Sequence, residues 1–198
     1  MIKALGMCLI AIALLVPSLS FAANIVKLGL IEPLSGTFAN LGEDTVHNFE
    51  FLIEKLNAKG GVLNDKKLAL ATFDNKHSTQ ESLIALKRAI DLGIRVIFQA
   101  SGSHNAHAFS EAVAKHNTRN PERSILYLNF GATDTTLTNE KCSFWHFRFD
   151  ANIDMKLAAM TTYMAGQKNI RKVFLINQDY AAGQTVSRVE GAARRKAS

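Results

Sequence analysis

Cysteine is nearly absent from this chain: 198 residues contain two, Cys8 and Cys142. Cys8 lies inside an N-terminal apolar segment. If that segment is removed, Cys142 is alone. An odd cysteine in an exported chain suggests a partner outside the chain, or one lost from it, and no adjacent base marks Cys142 as a nucleophile. A strong charge excess is also missing. The formal net charge of +6 is spread along the chain, and the one dense basic cluster, Arg194-Arg195-Lys196, reads as a solvated tail. Nucleic-acid binding is therefore not expected. There is no phosphate-binding P-loop, no dinucleotide glycine fingerprint, no nucleophile elbow and no zinc-protease helix motif, so those enzyme classes are unsupported. Low-complexity and repeated segments are absent too.

What is present begins with an export signal. Lys3 precedes the apolar run Leu5 to Val16, and Ser20 and Ala22 are the small residues expected before a cleavage site. The run is too short to span a membrane and its flanks fit a leader rather than an anchor. Cys8 comes before most of the run, which argues against lipidation. Residues 1–22 are therefore expected to be a signal peptide, with the mature chain starting at Ala23 in the periplasm.

Beyond the leader, short apolar runs alternate with amphipathic segments. Strands are expected at 26–31, 68–73, 95–99, 125–130 and 172–177, with a short extended run at 147–149. Helices are expected at 44–59, with Val46, Phe49, Leu52, Ile53 and Leu56 on one face, and at 78–92, with Leu83, Leu86 and Ile90 inside. Ser78 caps the latter, with Glu81 completing a capping box. Further helices are expected at 104–116, with Ala106, Phe109 and Val113 inside, at about 153–165, and from about Gly183. This alternation predicts an α/β fold, a doubly wound parallel sheet with helices on both faces. Such sheets bind ligands where the carboxyl ends of strands lead into helix N-termini. Three loops there carry hydroxyls and free amides suited to an anionic group: Ser35-Gly36-Thr37 through Gly42, Ser101 to Asn105, and Gly131 to Asp134. Each loop taken singly is better explained by capping and turn formation, whereas three on one sheet edge favour a shared pocket. Asp74 and Asp134 end strands, where a turn role is favoured over a catalytic one. His104 and His107 share a helix face, but no third metal ligand is placed by spacing. His146 beside Trp145 reads as packing.

Five segments in order, KLGLIEPLSGTFANLGED, VIFQASGS, NFGATDTTLT, CSFWHFRFDANIDMKLAAM and KVFLINQDYAAGQTVSR, resemble the type I periplasmic binding proteins of branched-chain amino-acid ABC transporters. The likeness runs along nearly the whole mature chain. It implies two doubly wound lobes closing on a ligand, with 23–146 as the first lobe and 147–198 as the crossover and start of the second. It implies a non-enzymatic receptor with no cofactor and no metal, delivering a branched-chain or related amino acid to a membrane permease served by separate ATPase subunits, and acting as a monomer when complete. The residues matching the family's ligand contacts are Ser103 and Thr133, with Gly131 supplying a carbonyl and Tyr180 closing from the second lobe. Where a first-lobe aromatic is often found, this chain has Leu41, with Phe38 nearby. The family's second lobe continues well past the position of Ser198, so a truncated or frameshifted product, or a fragment, is expected. Such a fragment should bind amino acids weakly or not measurably. Alternatives are an amide or urea receptor of the same fold, a metal-dependent hydrolase using His104 and His107, and a structural or adaptor role.

Overall fold

Parallel strands need long crossovers, and amphipathic helices supply them here. A computed structural model describes residues 25–174, 176–177, 179 and 183–188. The elements are β1 (Ile25–Glu32), α1 (Ala39–Ala58), β2 (Lys67–Asp74), α2 (Thr79–Asp91), β3 (Val96–Phe98), α3 (Ser103–Arg119), β4 (Leu126–Asn129), β5 (His146–Arg148) and α4 (Ile153–Ala165). All pairings are parallel and the sheet order is β2-β1-β3-β4-β5.

The sheet is sandwiched unequally. Ile97, Ile125 and Tyr127 point to one face and are sealed by α2 and α3 through Leu86, Ala89, Phe109 and Val113. That face is closed because α2 presents small residues, Ser82, Ala85 and Ala89, and packs closely. Leu83, expected inside, is instead exposed. The other face is met by α1, whose Phe49 ring contacts Phe98 and Phe130 at 4.9 and 5.5 Å. Here Val96, Phe98, Leu126 and Leu128 remain half-buried. Leu52 and Leu56, expected on the inner stripe of α1, are exposed. Gly42 lets α1 start against the β1 exit loop: a Cβ there would sit 1.9 Å from the Pro33 carbonyl oxygen.

Ser78 Oγ accepts from the Glu81 amide at 3.5 Å. The reciprocal half of the capping box is missing, because the Ser78 amide donates to the Asn75 carbonyl and Glu81 pairs with Lys76. The expected strand at 172–177 does not form among the described residues there. Phe174 and Ile176 are 95% and 93% exposed, and no strand among the described residues pairs with them. Residues 183–188 are helical, as expected. The short run near 147–149 joins the first sheet as β5, so the expected lobe boundary at 146/147 falls within a strand.

Candidate functional site

The chain leaves β1 for β2 on one side, then crosses to β3 on the other, so the strand order reverses at β1. In open parallel sheets the loops diverge at such a point and leave a crevice. A cleft of about 370 Å³ lies there. Its floor is polar: Glu32, Ser101, Gly102 and Gly131. Its walls are Phe38, Leu41, His77 and Phe130.

Glu32 ends β1 and is 1% exposed. Its Oε1 accepts from the Ala100 amide at 2.5 Å and the Ser101 amide at 3.3 Å, tying β1 to the turn before α3. Burial raises its carboxyl to about 6, against the two backbone amides and the nearby Ser101 hydroxyl, which favour the charge. Beneath the turn, Tyr127 Oη donates to Gln99 Oε1 at 2.7 Å, and Gln99 Nε2 donates to the Ser101 carbonyl at 2.7 Å. Burial and then the Glu32 charge hold the Tyr127 phenol neutral, well above its ordinary range. Gly102, at φ +83°, turns the chain into α3, a conformation that disfavours a Cβ.

The second floor segment is organised by Asn129, the last residue of β4. Its Oδ1 accepts from the Gly131 and Ala132 amides at 3.0 and 2.8 Å, and its Nδ2 donates to the Ala132 carbonyl at 3.0 Å and lies 3.2 Å from His146 Nε2. His146 packs on Tyr127 with ring centroids 4.8 Å apart, as the packing reading expected. Burial, followed by nearby positive charge from Arg148 and His107, holds His146 below its usual value despite an opposing backbone contact at Leu137.

Of the candidate ligand residues, Gly131 lines the cleft. Ser103 stands at the first position of α3 but its hydroxyl is turned inward, accepting from the Asp134 amide at 3.3 Å, with 2% exposure. The cleft is lined at this point by Ser101 and Gly102 rather than by the Ser103 side chain. Thr133 is half-buried, and its carbonyl accepts from the Ile153 amide at 2.9 Å, linking the loop to α4. Tyr180 lies outside the described residues.

The walls bring apolar and aromatic groups together. Phe38 stacks on His77 at 4.2 Å, and His77 meets His104 edge-on at 5.3 Å. Burial and then the His104 charge lower the His77 pKa. Asp74 fixes this rim by accepting from the Leu34 and Lys76 amides and the Ser35 hydroxyl. Burial opposes its charge, but these bonds and Lys76 outweigh that and hold it below the usual carboxylate range. Asp134 likewise serves a turn, accepting from the Thr136 amide and hydroxyl. It also binds His107 Nε2 at 2.8 Å. Burial raises its carboxyl, but His107 and Thr136 overcome this and leave it lowered. His104 and His107 therefore belong to different neighbourhoods, and among the described residues no group of three or more potential ligands could hold a metal. His107 and the exposed thiol of Cys142 both line a second hollow of about 400 Å³ on the flank of α3.

Sequence reasoning passed over Glu32, Asn129, Gln99 and Tyr127. Glu32 was the most findable: it is a carboxylate ending an otherwise apolar strand, at the edge where ligands bind.

A family model described as "Periplasmic binding protein" matches residues 25–197. The chain is 33% identical over 166 residues to the Leu/Ile/Val-binding protein homolog 4 of Brucella abortus (strain 2308), covering 83% of this chain and 40% of that relative. It is also similar to the crystal structure of a leucine-, isoleucine-, valine-, threonine- and alanine-binding protein from Brucella ovis in a closed conformation. That likeness has a TM-score of 0.72 and 32% identity, and covers 86% of this chain and 44% of the other. The same fold recurs in a solute-binding protein of an ABC transporter from Rhodopseudomonas palustris BisB5, at 19% identity and TM-score 0.69, covering 85% of this chain and 43% of the other.

Proposed function

Because the chain belongs to the periplasmic binding protein family, we propose that it is the ligand-contacting first lobe of a receptor for branched-chain or closely related amino acids. In this reading the whole protein serves an ABC transporter, handing its ligand to a membrane permease driven by separate ATPase subunits. The observation that carries it is the cleft at the strand-order reversal, which combines an apolar wall with the amino end of α3. The first amides of that helix have no intrahelical acceptor, and the dipole there favours a carboxylate. We assign the ligand carboxylate to the backbone start of α3 at Ser103 and to Thr133, with Gly131 contributing a carbonyl and Tyr180 closing from the other lobe. Phe38, Leu41 and Phe130 suit an aliphatic side chain. The Brucella abortus relative, named as a Leu/Ile/Val-binding protein homolog, supports the same ligand class.

A titration of this chain with L-leucine, L-isoleucine and L-valine tests the reading. One lobe buries one side of a ligand, so dissociation constants in the millimolar range are expected, about −4 kcal/mol. Amide NMR shifts should cluster at 100–105 and 130–134. Shifts scattered elsewhere would count against it.

Export is part of the proposal. Secretion of the chain by a Gram-negative host should yield a periplasmic product that begins at Ala23 by N-terminal sequencing. A cytoplasmic product that retains Met1 would remove the periplasmic assignment. Among the described residues no helix is long and apolar enough to cross a membrane.

A further inference from the structure

His107, Ser110, Glu111 and Ala114 stand three, four and seven residues apart on α3 and so share one face of the helix. With the turn Lys141-Cys142-Ser143 they line the hollow of about 400 Å³, a size within the range of small-molecule sites. It shares no lining residue with the cleft. Backbone bonds fix the turn: the Lys141 amide donates to the Thr136 carbonyl at 2.9 Å and the Cys142 amide to the Asn139 carbonyl at 3.1 Å. The Asp134 carboxylate, held in its charged form, accepts from His107 Nε2 at 2.8 Å. Nδ1 is then the acceptor of the neutral ring. Two features have no role in the fold. A hydroxyl within a helix ordinarily bonds the carbonyl four residues back, as Thr118 does to Ala114. Ser110 is 6% exposed and makes no such bond; among the described residues its hydroxyl has no hydrogen-bond partner, and it lines the hollow. Glu111 and Lys141 bring opposite charges to the same hollow, and among the described residues neither is in an ion pair.

We propose that this hollow is a thiol-exchange site, at which the exposed Cys142 thiol forms a mixed disulfide with a small zwitterionic disulfide of the cystine type. Each half of cystine carries a carboxylate, an ammonium and a sulfur within a few bonds of one another. The hollow offers a counterpart to each: Lys141 and the Ser110 hydroxyl to the carboxylate, Glu111 to the ammonium, and Cys142 to the sulfur. The step is an exchange and needs no oxidant. Cys142 gives up its proton and attacks one sulfur of cystine as the thiolate. The new S–S bond forms as the S–S bond of cystine breaks, and the second cysteine departs as a thiolate. That thiolate takes up the proton lost by Cys142, for which His107 is the base lining the same hollow. The products are one mixed disulfide and one free cysteine. The site stands independently of what the cleft binds, and it gives the unpaired cysteine a partner without a second protein.

The test follows mixed-disulfide formation at Cys142 by peptide mass spectrometry on the reduced chain at neutral pH. Two probes are used, cystine and the uncharged bis(2-hydroxyethyl) disulfide. The ratio of their rates is divided by the same ratio for the chain unfolded in urea, which removes their intrinsic reactivities. In the folded chain this quotient should be about tenfold, the gain expected from one hydrogen bond and one exposed ion contact. Ser110→Ala should lower it to about twofold by removing the hydrogen bond, and Lys141→Ala should lower it by about half. Both variants should react with the uncharged disulfide at the unsubstituted rate. Lys141 is exposed, so its variant carries the test if Ser110→Ala fails to fold. A quotient near one would overturn recognition of cystine. A folded chain whose Cys142 reacts with neither probe would overturn the site altogether. A tenfold quotient that neither substitution lowers would overturn the assignment of the hollow.

Discussion

Replacing Asn129 with alanine should lower the folding free energy by about 3 kcal/mol, because the Gly131 and Ala132 amides would each lose a buried acceptor at about 1–3 kcal/mol apiece. Asn129 is fully buried, and its carboxamide accepts from both amides while donating to the Ala132 carbonyl. Urea unfolding measures the loss. Thr118→Ala provides the comparison, since its exposed hydroxyl bonds only the Ala114 carbonyl within the same helix and should shift stability by less than about 0.5 kcal/mol. If Asn129→Ala proved as mild as Thr118→Ala, the loop would not depend on this side chain. The same variant should also disturb the cleft, because Gly131 belongs to both the Asn129 network and the floor.

The second large effect has the opposite sign. Glu32→Gln should stabilise the chain at pH 7.5 by about 2 kcal/mol, following about 1.4 kcal/mol for each pH unit that separates the folded and unfolded titrations. Burial raises the carboxyl from 4.5 to about 6, so the folded state prefers the protonated acid. Stability contributed by Glu32 is fully present below pH 4.5 and is lost as pH rises through about 6. Glutamine does not titrate. The gain from substitution should therefore be near zero below pH 4.5 and reach its full value above about 6. Asp74 and Asp134, whose pKa values are lowered, act oppositely and lose their contribution as pH falls. They are common to both proteins and cancel in the difference. Denaturant melts of both proteins across this range provide the measurement, and a difference that does not vary with pH would show that the Glu32 carboxyl is not perturbed.

Together these effects divide the floor of the cleft by role. Asn129, Gln99 and Tyr127 hold the loops from beneath through buried hydrogen bonds, and the buried Glu32 carboxylate fixes the turn before α3. Such buried polar networks specify one loop geometry because each unsatisfied member would be expensive.

Much was determined by the sequence alone. The alternation of apolar runs with amphipathic segments required a parallel sheet, and β1, β2, β3, β4 and α1 to α4 form close to where periodicity put them. The inward positions of α3, Ala106, Phe109 and Val113, were legible because a helix buried against a sheet shows a simple 3.6-residue stripe. The three loops at the carboxyl edge were legible for the same reason, since parallel topology leaves them together. Tertiary structure decided what depends on partners distant in the chain. Leu52 and Leu56 have the apolar pattern of an inner stripe, yet are exposed because burial needs an opposing surface that periodicity cannot supply. Residues 172–177 carry a strand signal, but a strand exists only where a neighbour accepts and donates its ladder bonds. Ser103 had the right position at the start of α3, while the direction of its hydroxyl was fixed by an amide 31 residues away. The charge of Glu32 was visible from the first reading; its burial, its raised pKa and its place on the cleft floor came from the reversal of strand order at β1, where the turn before α3 closes over it.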